Sequence, residues 1–296
     1  MVRSDAKFQT MLFLSQMNVI FDHSDDDALD VFADSLAVLF GHTRVAVTRK
    51  VTWTHEPSGI TLAVPQVAEA KNWSLHADAI WGSSIFVAEN LDMFFGHDGL
   101  DGRHVLELGA GAGMAGISIA RRWNNVRVVI TDYPDVGILR TLQQNVARHF
   151  SRIDGRDGRD GLAGPRVQVR GHAWGSEEGI DENQYHVVVA IDTLWTSETH
   201  KALCQSIARA LRREEDCRAY LVAGIHTGRW VLESFLKTVA EYGLCVDYLV
   251  ELRVRDGYER EWYPGREETP EERCEWLLYI RLRWSIGRSL DCAAQP

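Results

Sequence analysis

From residue 104 onward, short apolar runs alternate with longer stretches whose apolar positions recur at helical spacing. The runs at 104–109, 126–131, 166–170, 186–192 and 219–225 predict strands, and 113–122, 135–150, 197–213 and 228–242 predict helices between most of them. Such alternation implies a mostly parallel sheet with helices on both faces. The end of the chain differs. "LCVDYLVELRV" (244–254) and "EWLLYIRLRW" (275–284) are strand-like runs flanking a charged loop without helical periodicity, which predicts an antiparallel pair at the sheet edge.

Upstream, "DDALDVFADSLAVLF" (26–40) has helical periodicity behind an acidic start, which suits the positive end of a helix dipole. The stretch 44–66 carries β-branched runs on either side of "EPSG", a hairpin signal. Residues 151–164, "SRIDGRDGRDGLAG", form a small DGR repeat whose composition offers nothing to bury, so an insertion between a helix and a strand is expected there. These changes divide the chain into an N-terminal helix and hairpin extension, 1–75, and a main domain, 76–296, packed as one unit.

Candidate chemistry concentrates where the first of the later strands ends. "HVLELGAGAGMAG" (104–116) runs from an apolar strand through Glu107 into Gly109, Gly111 and Gly113. Glycines between a strand and a helix allow a ligand to approach the main chain closely. The spacing is E-x-G-x-G-x-G, not the dinucleotide G-x-G-x-x-G, whose third glycine position is held by Met114. A carboxylate inside the turn repels a pyrophosphate and suits a cationic ligand, such as the amino group or sulfonium of S-adenosylmethionine. In "VVITDYPD", Asp132 ends the second strand, where a carboxylate can take both hydroxyls of a ribose, in this nucleoside or in NAD alike. Asp135, after Pro134, is the better cap for the helix that follows.

"VLELGAGAGMAGI", "VVITDYPD", "HAWG" and "AIDTLW" together resemble a class I, seven-strand S-adenosylmethionine-dependent methyltransferase. Over residues 75–284 the chain looks most like the branch of fungal nicotinamide-N-methyltransferase-like proteins and protein-lysine methyltransferases. The fold implied is α/β: a Rossmann-like, doubly wound seven-stranded sheet, mostly parallel, with an antiparallel C-terminal strand. The resemblance implies cofactor contacts at Trp81, Glu107, Gly109, Ala110, Gly111, Asp132, Trp174 and Ile191. It places the methyl acceptor beside Asp192 and Trp195, within "DTLW", where relatives carry an acid-x-x-aromatic motif. Trp195 leaves no phenol hydroxyl, so the amine is not polarised through one. His226, in "AGIHTGR", is the candidate base for a phenol, acid or heterocycle, with a structural histidine as the alternative. His200 is expected as a cap or surface residue of its helix, and His76 and His172 as loop contacts.

Composition narrows the partners. A formal net charge of −10 argues against a general nucleic-acid binder. The sequence lacks an N-P-P-Y type tetrad and any H-E-x-x-H set, so neither base methylation nor a metal site is expected. Five widely spaced cysteines without a C-x-x-C suit a reducing compartment. The apolar patch "MLFL" is too short and interrupted for a span or signal, so a cytoplasmic location, or one shared with the nucleus, is expected. The expected acceptor is a protein lysine or a small-molecule amine. The alternatives are an O- or C-methyltransferase of small molecules, a non-methylating S-adenosylmethionine binder of the same fold and, weakest, a NAD-dependent dehydrogenase. Oligomeric state is open.

Overall fold

The computed structural model describes residues 52–65, 77, 79–96, 99–150 and 165–285. The helix expected over 26–40, the DGR repeat at 151–164 and His76 lie outside the described residues. The expected hairpin is present: β1 (Thr52–His55) pairs antiparallel with β2 (Ile60–Ala63).

The five apolar runs form β3 (His104–Leu108), β4 (Arg127–Asp132), β5 (Val167–Gly171), β6 (Val187–Ile191) and β7 (Arg218–Gly224), all paired in parallel. With β8 (Leu244–Arg253), β9 (Glu259–Glu261) and β10 (Trp276–Trp284), they make one sheet in the order β5-β4-β3-β6-β7-β10-β8-β9. The chain winds outward in opposite senses from the β3–β6 pair, so a crevice opens above the C-terminal ends of those strands.

The C-terminal region bears out the expected antiparallel pair and corrects the sequence reading in two respects. β10 and β8 form the expected antiparallel pair, with β10 on the inner side, between β7 and β8 and antiparallel to both. The three-residue β9 adds an eighth strand beside β8. The charged loop also contains a helix, α7 (Pro270–Cys274), too short to show periodicity. Its signature is the capping box: Thr269 Oγ1 accepts from the Glu272 N–H, and the Glu272 carboxylate accepts from the Thr269 N–H.

Alternation along the strands feeds two cores. Val105, Val128, Val187 and Val189 face α1 (Gly82–Glu89), α2 (Leu91–Phe95), α3 (Met114–Arg122), α4 (Val136–His149) and the hairpin. Leu106, Leu108, Val188 and Leu221 face α5 (His200–Ala210) and α6 (Arg229–Val239). Asp135 caps α4 as expected, its side chain accepting from the N–H groups of Gly137 and Ile138. On that helix the fully buried Asn145 accepts from the Ala63 N–H and donates to the carbonyls of Ala63 and Ala112. One amide thereby ties the hairpin to the glycine-rich turn.

A buried ionic cluster secures the far side. Arg229, at the start of α6, donates to Glu251 on β8 at 2.5 and 3.0 Å and to Glu268 at 2.6 Å. Arg260 on β9 also donates to Glu251, at 2.7 Å, and pairs with Glu268. The Glu268 carboxyl is pushed up by burial, but hydrogen bonds from Arg229 and Arg260 outweigh that and hold it below its ordinary value. Among the described residues no helix is long and apolar enough to cross a membrane.

Candidate functional site

A cleft of about 380 Å3 opens at the C-terminal ends of β3, β4 and β6. The β3 strand delivers Glu107 and then the glycine turn. Gly109 takes φ 68°, and a Cβ there would lie 2.9 Å from Trp174 Cζ2 and 3.0 Å from Thr193 Cγ2. Only a bare backbone lets the Trp174 ring rest on the turn. Gly116, in the first turn of α3, serves close approach, since a Cβ would collide with the Glu107 carboxylate that accepts its N–H at 3.0 Å.

Two carboxylates dominate this half of the cleft. Burial pushes Glu107 up to about 8, against the Gly116 N–H, with a smaller push from the negative charge of Asp132. Burial likewise raises Asp132 to about 6, although its carboxylate accepts the N–H groups of Gly111 at 2.6 Å and Tyr133 at 2.7 Å. A cationic or hydroxyl-bearing ligand would relieve both desolvated acids.

The other half is built by the loop after β6. Asp192 has φ 53°, a left-handed backbone unusual for a side chain other than Asn or Asp. Its Oδ1 accepts the Gly224 N–H at 2.8 Å and its Oδ2 accepts the Ser83 hydroxyl. The carboxylate therefore pins β6 to α1 and to the end of β7. Burial raises it to about 6, with those hydrogen bonds acting the other way.

Ten of the eleven expected site residues line this one cleft: Trp81, Glu107, Gly109, Ala110, Gly111, Asp132, Trp174, Ile191, Asp192 and Trp195. His226 is not among the lining residues; its ring stacks on Trp81 at 6.0 Å between centroids and 6° between planes. His172, expected as a loop contact, is buried and lines the cleft. His200 is no surface residue: it is 1% exposed and packs edge-on against Phe235. Sequence reasoning missed Ser83, although it stands two residues after Trp81, because its partner Asp192 is 109 residues away. It also passed over Tyr133 and Glu198, which line the cleft without belonging to a recognisable spacing.

A sequence model described as lysine methyltransferase matches residues 66–241, more than half of the chain. The chain belongs to the lysine methyltransferase family. Its relatives include a protein of Eremothecium gossypii named protein N-terminal and lysine N-methyltransferase EFM7, 29% identical over 183 residues. That alignment covers 58% of this chain and 65% of the relative, just under two thirds of its length. The Kluyveromyces lactis protein of the same name is 29% identical over 217 residues, covering 68% of this chain and 76% of its own. Among solved structures, a SAM-dependent methyltransferase from Methanosarcina mazei aligns with a TM-score of 0.43 and 12% identity, over 66% of this chain and 97% of that one.

S-adenosylmethionine is the methyl donor that membership implies, and the residues present fit it. Glu107 and Asp132 are desolvated acids awaiting a cation and hydroxyls. Thr193 Oγ1, in the cleft wall, is buried without a hydrogen-bond partner among the described residues. Such a group costs stability until a ligand or water supplies one.

Proposed function

We propose that this lysine methyltransferase-family chain transfers a methyl group from S-adenosylmethionine to the nitrogen of a protein amine. The acceptor would be a lysine side chain or, as in the names of the EFM7 relatives, an N-terminal amine. The observation that carries the reading is the meeting of two sets of residues in one cleft. Glu107 and Asp132 line one half, and Asp192 and Trp195 line the other.

In this reading Asp132 accepts the ribose hydroxyls, Glu107 faces the cationic methionine portion, and Trp174 and Ile191 border the adenine. Gly109, Ala110 and Gly111 let the ligand approach the main chain, and Trp81 closes the near wall. The sulfonium, when bound, supplies an already activated methyl group. The chain's own task is then to align the acceptor and exclude water.

A lysine amine, with a free pKa of about 10.4, must lose its proton before its lone pair can react. The apolar walls favour the neutral amine by desolvation. Asp192, fixed by Ser83 and Gly224, orients that amine, and the face of Trp195 holds the alkyl-ammonium group as it enters. His226, stacked behind Trp81, supports that wall and does not act as base.

The test is incubation with methyl-labelled S-adenosylmethionine and a protein extract, followed by acid hydrolysis of the protein fraction. Label in N-methyl-lysine or an N-methylated terminal residue supports the proposal. Label confined to small molecules, or released from the protein as methanol by mild base before hydrolysis, contradicts it.

A further inference from the structure

The geometry points to Ser206 and His172 as positioning residues for the cofactor, holding Trp174 against the glycine turn through a directed chain of hydrogen bonds. The inference rests on the proposed donor site only in taking Trp174 as a wall of that site. Neither Ser206 nor His172 belongs to the residues that motif resemblance brings to the cofactor.

The direction of the chain follows from chemistry. His172 Nδ1 lies 2.6 Å from the carbonyl oxygen of Glu178, which can only accept. Nδ1 therefore carries the proton. In the neutral ring Nε2 is then an acceptor, and the Ser206 hydroxyl, 2.9 Å away, donates to it. The same hydroxyl oxygen accepts the Gly175 N–H at 2.8 Å. The sequence reads Gly175 N–H to Ser206 Oγ, Ser206 O–H to His172 Nε2, and His172 Nδ1–H to the Glu178 carbonyl.

The ends of that chain enclose residues 172–178, the loop that presents Trp174. Its base is anchored separately, because the His172 N–H donates to the carbonyl of Asp132 at 2.8 Å. Ser206 projects from α5 and holds the loop there, while Trp174 lies against Gly109 of the glycine turn. Ser206 and His172 are 1% and 2% exposed, so neither can exchange its partner for bulk water. Removing the serine hydroxyl strands the part-buried Gly175 N–H and a buried ring nitrogen together, and the nearest relief is a shift of the loop, with Trp174 on it.

The experiment is a double-mutant cycle read by calorimetric titration with S-adenosylhomocysteine. Ser206→Ala should weaken binding about tenfold, Trp174→Ala more strongly, and the double variant no more than Trp174→Ala alone. Ser206→Thr, which keeps the hydroxyl, should restore most of the affinity, and thermal melts should show each variant folded. Penalties that add in the double variant, unchanged affinity in Ser206→Ala, or equal losses in the alanine and threonine variants would each overturn the relay. Failure of the wild-type protein to bind S-adenosylhomocysteine would instead remove the donor site itself. If Ser206→Ala does not fold, Ser206→Cys, a weaker donor of similar size, should give an intermediate affinity when Trp174 is present and no further loss in the Trp174→Ala background.

Discussion

Ser83 gives its hydroxyl to Asp192, while the opposite oxygen of that carboxylate holds the Gly224 N–H at 2.8 Å. The carboxylate is therefore both a charge in the cleft and a clasp between three elements. Asparagine keeps the clasp, because its carbonyl can take the Gly224 N–H and its amide can face the Ser83 oxygen. It also tolerates the left-handed backbone at φ 53°. Asp192→Asn should lower kcat on the order of 10²-fold through lost orientation, with S-adenosylhomocysteine affinity nearly unchanged. Asp192→Ala should in addition lose about 1–2 kcal/mol of stability from the backbone alone. Steady-state kinetics with chemical denaturation separates the two effects, and full activity in the asparagine variant would place the acceptor elsewhere.

His226 tests the nature of the acceptor atom. Its ring stacks on Trp81 and does not line the cleft. For an amine acceptor, His226→Ala should reduce kcat only mildly. An oxygen acceptor that needs its proton removed would instead make the loss about 10²–10⁴-fold. Measuring the variant with one identified substrate distinguishes the two cases.

Glu107 predicts a pH dependence of stability. Its ordinary value of 4.5 is raised to about 8 in the folded chain, so the folded state holds a proton that the unfolded state has released. Stability from this group is complete below the unfolded value and is lost as pH rises through the folded one. The histidines His104, His149, His172, His186 and His200, lowered from 6.5, act in the opposite direction but finish titrating in the unfolded chain near neutrality. Between about pH 7 and 8 the ligand-free protein should therefore lose at most about 1.4 kcal/mol per pH unit. Urea titrations across that window should show the decline in the wild type and its absence in Glu107→Gln. An unchanged slope in the variant would assign the proton elsewhere.

The buried cluster around Arg229 predicts a stability effect remote from the cleft. Glu251 is fully buried and Glu268 nearly so, and Arg229→Ala leaves both with Arg260 as their main cation. Breaking a buried pair by removing one partner typically costs about 3–5 kcal/mol. Equilibrium unfolding should show a loss of that order, and a loss below about 1 kcal/mol would mean that water or Arg266 takes over the contacts.

The strands β3 to β7 were legible within a residue or two because β3, β4, β6 and β7 are short apolar runs buried along most of their length, while β5, only partly buried, alternates valine with polar residues. The convergence of Asp132 and Asp192 was legible for a related reason: both stand at C-terminal strand ends, which parallel pairing brings to one edge. The insertion of β10 was not, because the pairing of Leu277 with Gly224 and with Leu252 is decided by contacts remote in sequence. His200 was misread since its helix places it against Phe235, a neighbour that only tertiary packing supplies. The role of Ser206 was hidden for the same reason, as its histidine partner lies 34 residues away.

The most direct test of the account is a calorimetric titration of the wild-type protein and of Asp132→Ala with S-adenosylhomocysteine, with NAD as the comparison ligand. Asp132 ends β4 inside the cleft, and in this account its carboxylate receives the ribose hydroxyls. Wild-type protein should bind S-adenosylhomocysteine in preference to NAD, and the variant should bind it about 1–3 kcal/mol more weakly. Equal affinity in the two proteins, or preference for NAD, would contradict the assignment of this cleft to the methyl donor.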